Sequence, residues 1–178
     1  HRPAVAHLIP TLRTTMPATP QPVRPATAPP SVRPRGRLEL RQLLKWLRDD
    51  GALTADDADR LARRFGQTGS SLHPLMRLGG AGLVDARNGQ ALTTDSLTAW
   101  LAQRFGLTLL KIDPLRVDAS RVAEVMSQAY AETRRALPVL YGSSTVTIAT
   151  CEPFDVDWLP EIEAHTRRSV TLVMAAPD

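Results

Sequence analysis

Lys45 and Lys111 are the only lysines in the chain, and neither stands in a Gly-Lys-(Ser/Thr) loop. The loop that holds the β- and γ-phosphates of ATP needs that sequence, because the ammonium neutralises phosphate and the hydroxyl reaches Mg²⁺. Here Leu44 and Trp46 flank one lysine, and Leu110 and Ile112 the other. The four histidines are scattered, and His73 has no second histidine at metal-ligand spacing, so it reads as a solvated loop residue. Asp56-Asp57 are adjacent and suit the positive start of a helix better than acid–base chemistry. Cys151, the only cysteine, excludes an internal disulfide and fits a reducing compartment. Its neighbours Thr150 and Glu152 offer no activating base, which makes it a plain thiol at a strand end. No Ser-His-Asp, Cys-His or metal constellation assembles from these residues. The chain is therefore expected to have no catalytic residue, no metal and no cofactor of its own.

Charge and composition divide the chain. Its 178 residues carry a formal charge of +4, yet Arg2, Arg13, Arg24, Arg33, Arg35 and Arg37 all precede the first acidic residue. Residues 38–178 are thus slightly acidic, without the basic footprint that a nucleic-acid partner requires, and no nucleic acid is expected to bind. Residues 1–34 also hold 9 of the 15 prolines. Such a composition cannot bury enough surface to offset chain entropy, so residues 1–37 read as a disordered Pro/Arg-rich tail, dispensable for folding. His1 opens the sequence, and Met16 is a possible native start. No apolar run reaches 18 residues, and no stretch resembles a signal peptide.

The elements that must position any site are helical first. Leu40, Leu43, Leu44 and Leu47 recur at helical spacing before Gly51. Trp46 falls off that stripe, and a large apolar side chain left outward marks an interface, so it is the first candidate docking residue. Thr54 then caps a helix ending in Arg64-Phe65-Gly66, with Asp59 and Arg63 on it as further docking candidates. The same phrase returns: Thr93 opens a helix carrying Leu97, Trp100 and Leu101 that closes in Arg104-Phe105-Gly106. This is an internal duplication. Between the copies, Leu72–Leu78 suits a short helix in a glycine-rich loop.

From residue 107 the pattern changes. Leu107–Ile112 suits a short strand. Asp118 or Ser120 caps a helix lined by Val122, Val125, Met126, Ala129 and Tyr130. Leu137–Tyr141, Gly142-Ser143-Ser144 and Thr145–Ala149 read as a β-hairpin. Asp155 or Asp157 caps a further helix, and Ser169–Met174 forms a last strand. The expected class is α+β, with a helical repeat subdomain over 38–112 and a small α+β subdomain over 113–178, the two packed together.

Leu137-Pro138-Val139, followed by Val146–Asp155 with its Glu152-Pro153-Phe154-Asp155, resembles a signature of the N-terminal domain of type II secretion and type IV pilus assembly ATPases. Phe105-Gly106-Leu107 and Ile112-Asp113-Pro114-Leu115 are similar to a second stretch of that family. The resemblance covers 38–178 and is strongest over 97–160. It implies a regulatory and docking front end of a cytoplasmic, hexamer-forming motor, peripheral to the inner membrane. ATP and Mg²⁺ would belong to a catalytic domain beyond residue 178. The implied partner is the cytoplasmic part of an inner-membrane platform protein, with membrane contact only indirect. In some members the helical duplication binds cyclic di-GMP through two copies of Arg-Leu-Gly-x-x-Leu-(Val/Leu)-x-x-Gly. The matching positions here are Arg77, Leu78 and Gly79, followed by one residue too many before Leu83-Val84. In the other copy Gln42 and Leu44 replace the arginine and first glycine.

Overall fold

Four helices come first: α1 (Leu40–Asp49), α2 (Ala55–Gly66), α3 (Pro74–Gly79) and α4 (Thr94–Phe105). The computed structural model describes residues 33–177. The tail expectation for residues 1–32 lies outside the described residues.

The starts of α2 and α4 are set by the residues that the sequence offers as caps. Thr54 Oγ1 accepts from the Asp57 N–H at 3.2 Å, and Thr93 Oγ1 from the Ser96 N–H at 3.1 Å, each satisfying an N–H that the helix cannot. Ser96 answers by accepting from the Thr93 N–H. Asp57 does not answer in kind; its carboxylate turns to Arg60 at 2.7 Å. Gly106 ends α4 at a φ of 64°, a left-handed turn that glycine adopts without strain. Helices α1 and α2 pack as one pair and α3 and α4 as the other, around Leu43, Leu47, Leu75, Leu78, Leu97 and Leu101.

The second half contains α5 (Ala119–Val125), α6 (Gln128–Arg134), β1 (Ala136–Tyr141), β2 (Thr145–Thr150), α7 (Leu159–Thr166) and β3 (Ser169–Met174), with a 3₁₀ turn at Pro114–Arg116. The strands form one sheet in the order β1-β2-β3. The hairpin pairs β1 with β2 antiparallel, and α7 carries the chain across so that β3 lies parallel to β2. A register shift between Pro138 and Leu140 places a bulge in β1. Alternation along β2 sends Val146 and Ile148 to one face, under Val125, Met126, Trp158 and Ile162, and Ala149 to the other. The architecture is α+β, with seven α-helices and a three-stranded sheet among the described residues.

Three local expectations change, and one pair of alternatives resolves. The single helix through Val122 and Tyr130 breaks at Met126, whose backbone is extended at φ −156°. The break lets the consecutive residues Val125 and Met126 both enter the core, and Ser127 caps α6. Asp118, not Ser120, caps α5. Neither Asp155 nor Asp157 caps α7; the Asp155 carboxylate lies 3.9 Å from Arg37 and 4.0 Å from Arg134. Leu107–Ile112 forms only a bridge between Leu109 and Met174, with Leu110 N–H to Met174 O at 2.8 Å and Met174 N–H to Thr108 O at 2.7 Å.

From Arg33 onward the chain is one compact unit. Arg33 donates to Phe105 O, the Gly36 N–H to Phe154 O at 3.0 Å, and Arg37 to Thr133 O, so residues 33–37 are fastened rather than loose. Phe154 and Met174, both beyond residue 112, lie in the same cluster as the helical leucines. Phe154→Ala is therefore expected to cost about 3–5 kcal/mol. It should leave a single unfolding transition, with tryptophan fluorescence and far-UV circular dichroism coincident in urea. Two separated transitions would show that the halves fold independently.

Candidate functional site

The residues singled out from the sequence fall on the helical repeat, and the structure gives most of them local work. His73 precedes α3, and its Nδ1 accepts from the Leu75 N–H at 3.1 Å, with Pro74 in the first turn. Arg77 lies one turn further on. Its guanidinium donates to Phe65 O at 3.3 Å and Thr68 O at 2.9 Å and sits 4.8 Å from the Phe65 ring centroid. The first carbonyl belongs to the last turn of α2, where the helix leaves acceptors without partners, and the second to the loop that follows it. Arg77 thus ties α3 to α2 and stacks on an aromatic ring within its own chain. Leu78 is fully buried. A Cβ at Gly79 would stand 2.5 Å from the Thr94 backbone nitrogen and closer still to the Thr94 hydroxyl, so only glycine allows α3 to meet the start of α4. A concavity of about 360 Å³ lies beside Phe65, Leu72, Met76 and Arg77. In the other copy, Gln42 Oε1 accepts from the Glu39 N–H at 3.1 Å, and Leu44 is buried.

Trp46 does not face outward as expected. It is half-buried against Phe105 at 5.0 Å and Phe154 at 6.4 Å between ring centroids, and Phe105 meets Phe154 at 4.9 Å. All three contacts are edge-to-face. The ring falls off the leucine stripe because its partners are the end of α4 and the loop after β2. Asp50, at the end of α1, reinforces that junction by accepting from Trp100 Nε1 at 2.8 Å and pairing with Arg104. Asp59 and Arg63 are both exposed on α2, one helical turn apart, and carry no ion pair among the described residues.

His73 is also not the solvated loop histidine that its surroundings in sequence suggest. Its side chain is 2% exposed, with Nε2 at 2.9 Å from Glu152 Oε1 and 3.1 Å from Cys151 O. Because Nδ1 accepts from Leu75, the proton sits on Nε2 and is donated toward Glu152. Glu152 Oε2 accepts from the Leu38 N–H at 2.7 Å, and Arg135 approaches Oε1 at 3.8 Å. The sequence signal was available in part: an acid directly before Pro153-Phe154-Asp155 at the end of an apolar strand. Next to it, burial pushes the Cys151 thiol up to about 11, which leaves it protonated and unreactive near neutrality. Among the described residues no three His, Cys, Asp or Glu side chains are grouped to hold a metal. The arrangement holds elements together and presents surface.

Against this geometry, residues 105–178 match the family model of the MshEN domain. Residues 105–178 are thus similar to an MshEN domain, over less than half of the chain. The matched span runs from the end of α4 through the whole sheet. Over 108 residues, 60% of this chain, the sequence is 33% identical to the type IV pilus assembly ATPase TfpB of Acinetobacter baylyi. The chain spans 18% of that relative's length. Among solved structures, one of MshE with cdg shares the fold at a TM-score of 0.52 and 22% identity, covering 79% of this chain and 91% of that one. The N-terminal domain of XpsE aligns at a TM-score of 0.46 and 17% identity, over 79% of this chain and 90% of that one. The resemblance read from the sequence holds, and the matched span contains the Leu-Pro-Val and Glu-Pro-Phe-Asp stretches.

The contacts of the Arg77-Leu78-Gly79 segment make it a structural element with separable parts. Gly79→Ala is expected to destabilise the fold by about 1–3 kcal/mol through overpacking against Thr94. Arg77→Ala should cost about 1 kcal/mol for the lost carbonyl contacts. Urea unfolding of the two variants measures both, and a neutral Gly79→Ala would contradict the close approach.

Proposed function

We propose that this chain is the non-catalytic regulatory and docking front part of a type II secretion or type IV pilus assembly ATPase. The observation that carries the reading is the MshEN match combined with the identity to a type IV pilus assembly ATPase. Absence of a Gly-Lys-(Ser/Thr) loop agrees with a part that hydrolyses nothing itself. In this reading ATP and Mg²⁺ bind elsewhere in a longer, hexameric parent at the cytoplasmic side of the inner membrane. None of the helices of the described residues is long and apolar enough to cross a membrane. The partner is the cytoplasmic part of an inner-membrane platform protein. With Trp46 engaged in the core, the proposed docking face moves to the exposed side of α2 that carries Asp59 and Arg63.

Charged groups on such a rim govern association more than folding. Asp59→Arg combined with Arg63→Glu is expected to leave stability within about 0.5 kcal/mol, since both side chains are exposed. Binding to the purified cytoplasmic part of the platform protein should weaken tenfold or more, about 1.4 kcal/mol, by calorimetry. Unchanged affinity in the double variant would place docking away from α2.

A second reading, a cyclic di-GMP sensor, draws support from the fold shared with the structure of MshE with cdg. In this chain the Arg77 guanidinium is committed to Phe65 and Thr68, and Gln42 and Leu44 serve a helix start and the core. Titration with cyclic di-GMP is expected to show no binding tighter than about 100 μM. Low-micromolar binding lost in Arg77→Ala would favour the sensor over the docking module.

A further inference from the structure

One face of the sheet is closed by α5, α6 and α7, while the other is covered only where the chain between α4 and α5 crosses it. There Leu110 and Ile112 pack with Val139 against Ala149, Val173 and Ala175. Beside this crossing, along β1, runs a groove of about 550 Å³. Its floor is aliphatic. The bulge in β1 lets the consecutive residues Val139 and Leu140 both line it, where a regular strand would send them to opposite faces. Leu140 remains 62% exposed and Leu115, on the adjacent 3₁₀ turn, 95% exposed, so apolar surface stands open to water at this place. Strand β1 is also the sheet's outer strand, hydrogen-bonded to β2 alone.

The rim decides what could cover it. Lys111, Arg116 and Arg121 face Asp113 and Asp118, which looks balanced until each carboxylate is followed. Asp113 accepts from the Leu115 N–H at 3.0 Å and lies 3.5 Å from Arg116. Asp118 accepts from the Ser120 N–H and hydroxyl at 3.0 and 2.6 Å, and these bonds hold its carboxyl below the usual range. Both acids are therefore committed. Lys111 and Arg121 form no ion pair within 4.0 Å among the described residues; the Arg121 charge reaches Asp118 only through space, and its guanidinium lies 4.6 Å from the Tyr141 ring centroid. A phosphate-bearing ligand has little to use here, because the Asp118 side chain already occupies the first N–H groups of α5. The floor offers aliphatic side chains and no unstacked aromatic ring.

We propose that the groove between β1 and the 110–118 segment is a second docking site, taking a short extended peptide of a partner protein. That peptide carries one or two aliphatic anchors and acidic flanks. The anchors lie on Val139, Leu140 and Ile112, and the carboxylates reach Lys111 and Arg121. This site is separate from the α2 face and does not depend on the parent being an ATPase.

The test uses the chain as it stands, isotopically labelled, titrated with seven-residue synthetic peptides. One set combines leucine anchors with glutamate flanks; matched sets replace glutamate by lysine or leucine by serine; GTP serves as a phosphate probe. Amide shifts of Lys111, Arg121 and residues 139–141 should move with at least one Leu/Glu peptide, at a dissociation constant below about 1 mM. Affinity should fall about tenfold or more in Lys111→Glu and in Leu140→Asp and be unchanged in Lys45→Glu on α1. Leu140 is exposed, so its variant keeps the fold, and its remaining amide shifts verify this. The proposal is overturned if no Leu/Glu peptide shifts these amides, if Lys-flanked or serine peptides bind as well, if Lys45→Glu weakens binding equally, or if GTP alone perturbs the groove.

Discussion

A carboxylate taken out of water must find donors, and Glu152 finds them on three separate parts of the chain. One oxygen accepts from the Leu38 backbone in front of α1; the other lies against His73 at the head of α3 and near Arg135 at the entry to β1. Desolvating such a group without partners costs several kcal/mol, so the three donors are needed together. Their positions fix the N-terminal segment, the helical repeat and the sheet around one point. His73 transmits the constraint, because the nitrogen facing away from Glu152 caps α3.

Apolar packing runs alongside this polar junction. Phe154 follows Glu152 by two residues and completes the cluster with Trp46 and Phe105, so one loop after β2 supplies both an anion and an aromatic ring to the helices. Asp50 binds Trp100 and Arg104 on the same side. The two copies of the helix pair are thereby held to each other and to the sheet by different chemistry. Those contacts use Trp46, Arg77 and Gly79, while Asp59 and Arg63 on α2 and Leu140 on β1 stay exposed.

What was legible in the sequence was local. Thr54 and Thr93 announce their helices because a cap acts over three residues, and the hairpin follows from alternation around Gly142-Ser143-Ser144. The signature around Glu152 and Phe154 lies within the span that matches the MshEN model. The misread residues have partners far along the chain. Trp46 looked like an outward aromatic because Phe105 and Phe154 are invisible from within α1, and His73 looked like a loop residue because Glu152 arrives from β2. Asp155 was expected at a helix start and instead lies near Arg37 and Arg134. The break at Met126 escaped periodicity, since Val122, Val125, Met126 and Tyr130 fit one helix as well as two.

Met174, at the end of β3, belongs to the core of the first four helices. It also receives the Leu110 N–H and donates to Thr108, closing the segment that leaves α4. During synthesis the helices emerge first, at roughly 5–20 residues per second, yet the side chain that completes their core comes last. Until the final strand leaves the ribosome, the leucines of the repeat have no finished interior, and the nascent chain passes through a stage with exposed apolar surface. Any longer polypeptide containing this domain must complete β3 before the helices of the repeat have their full core.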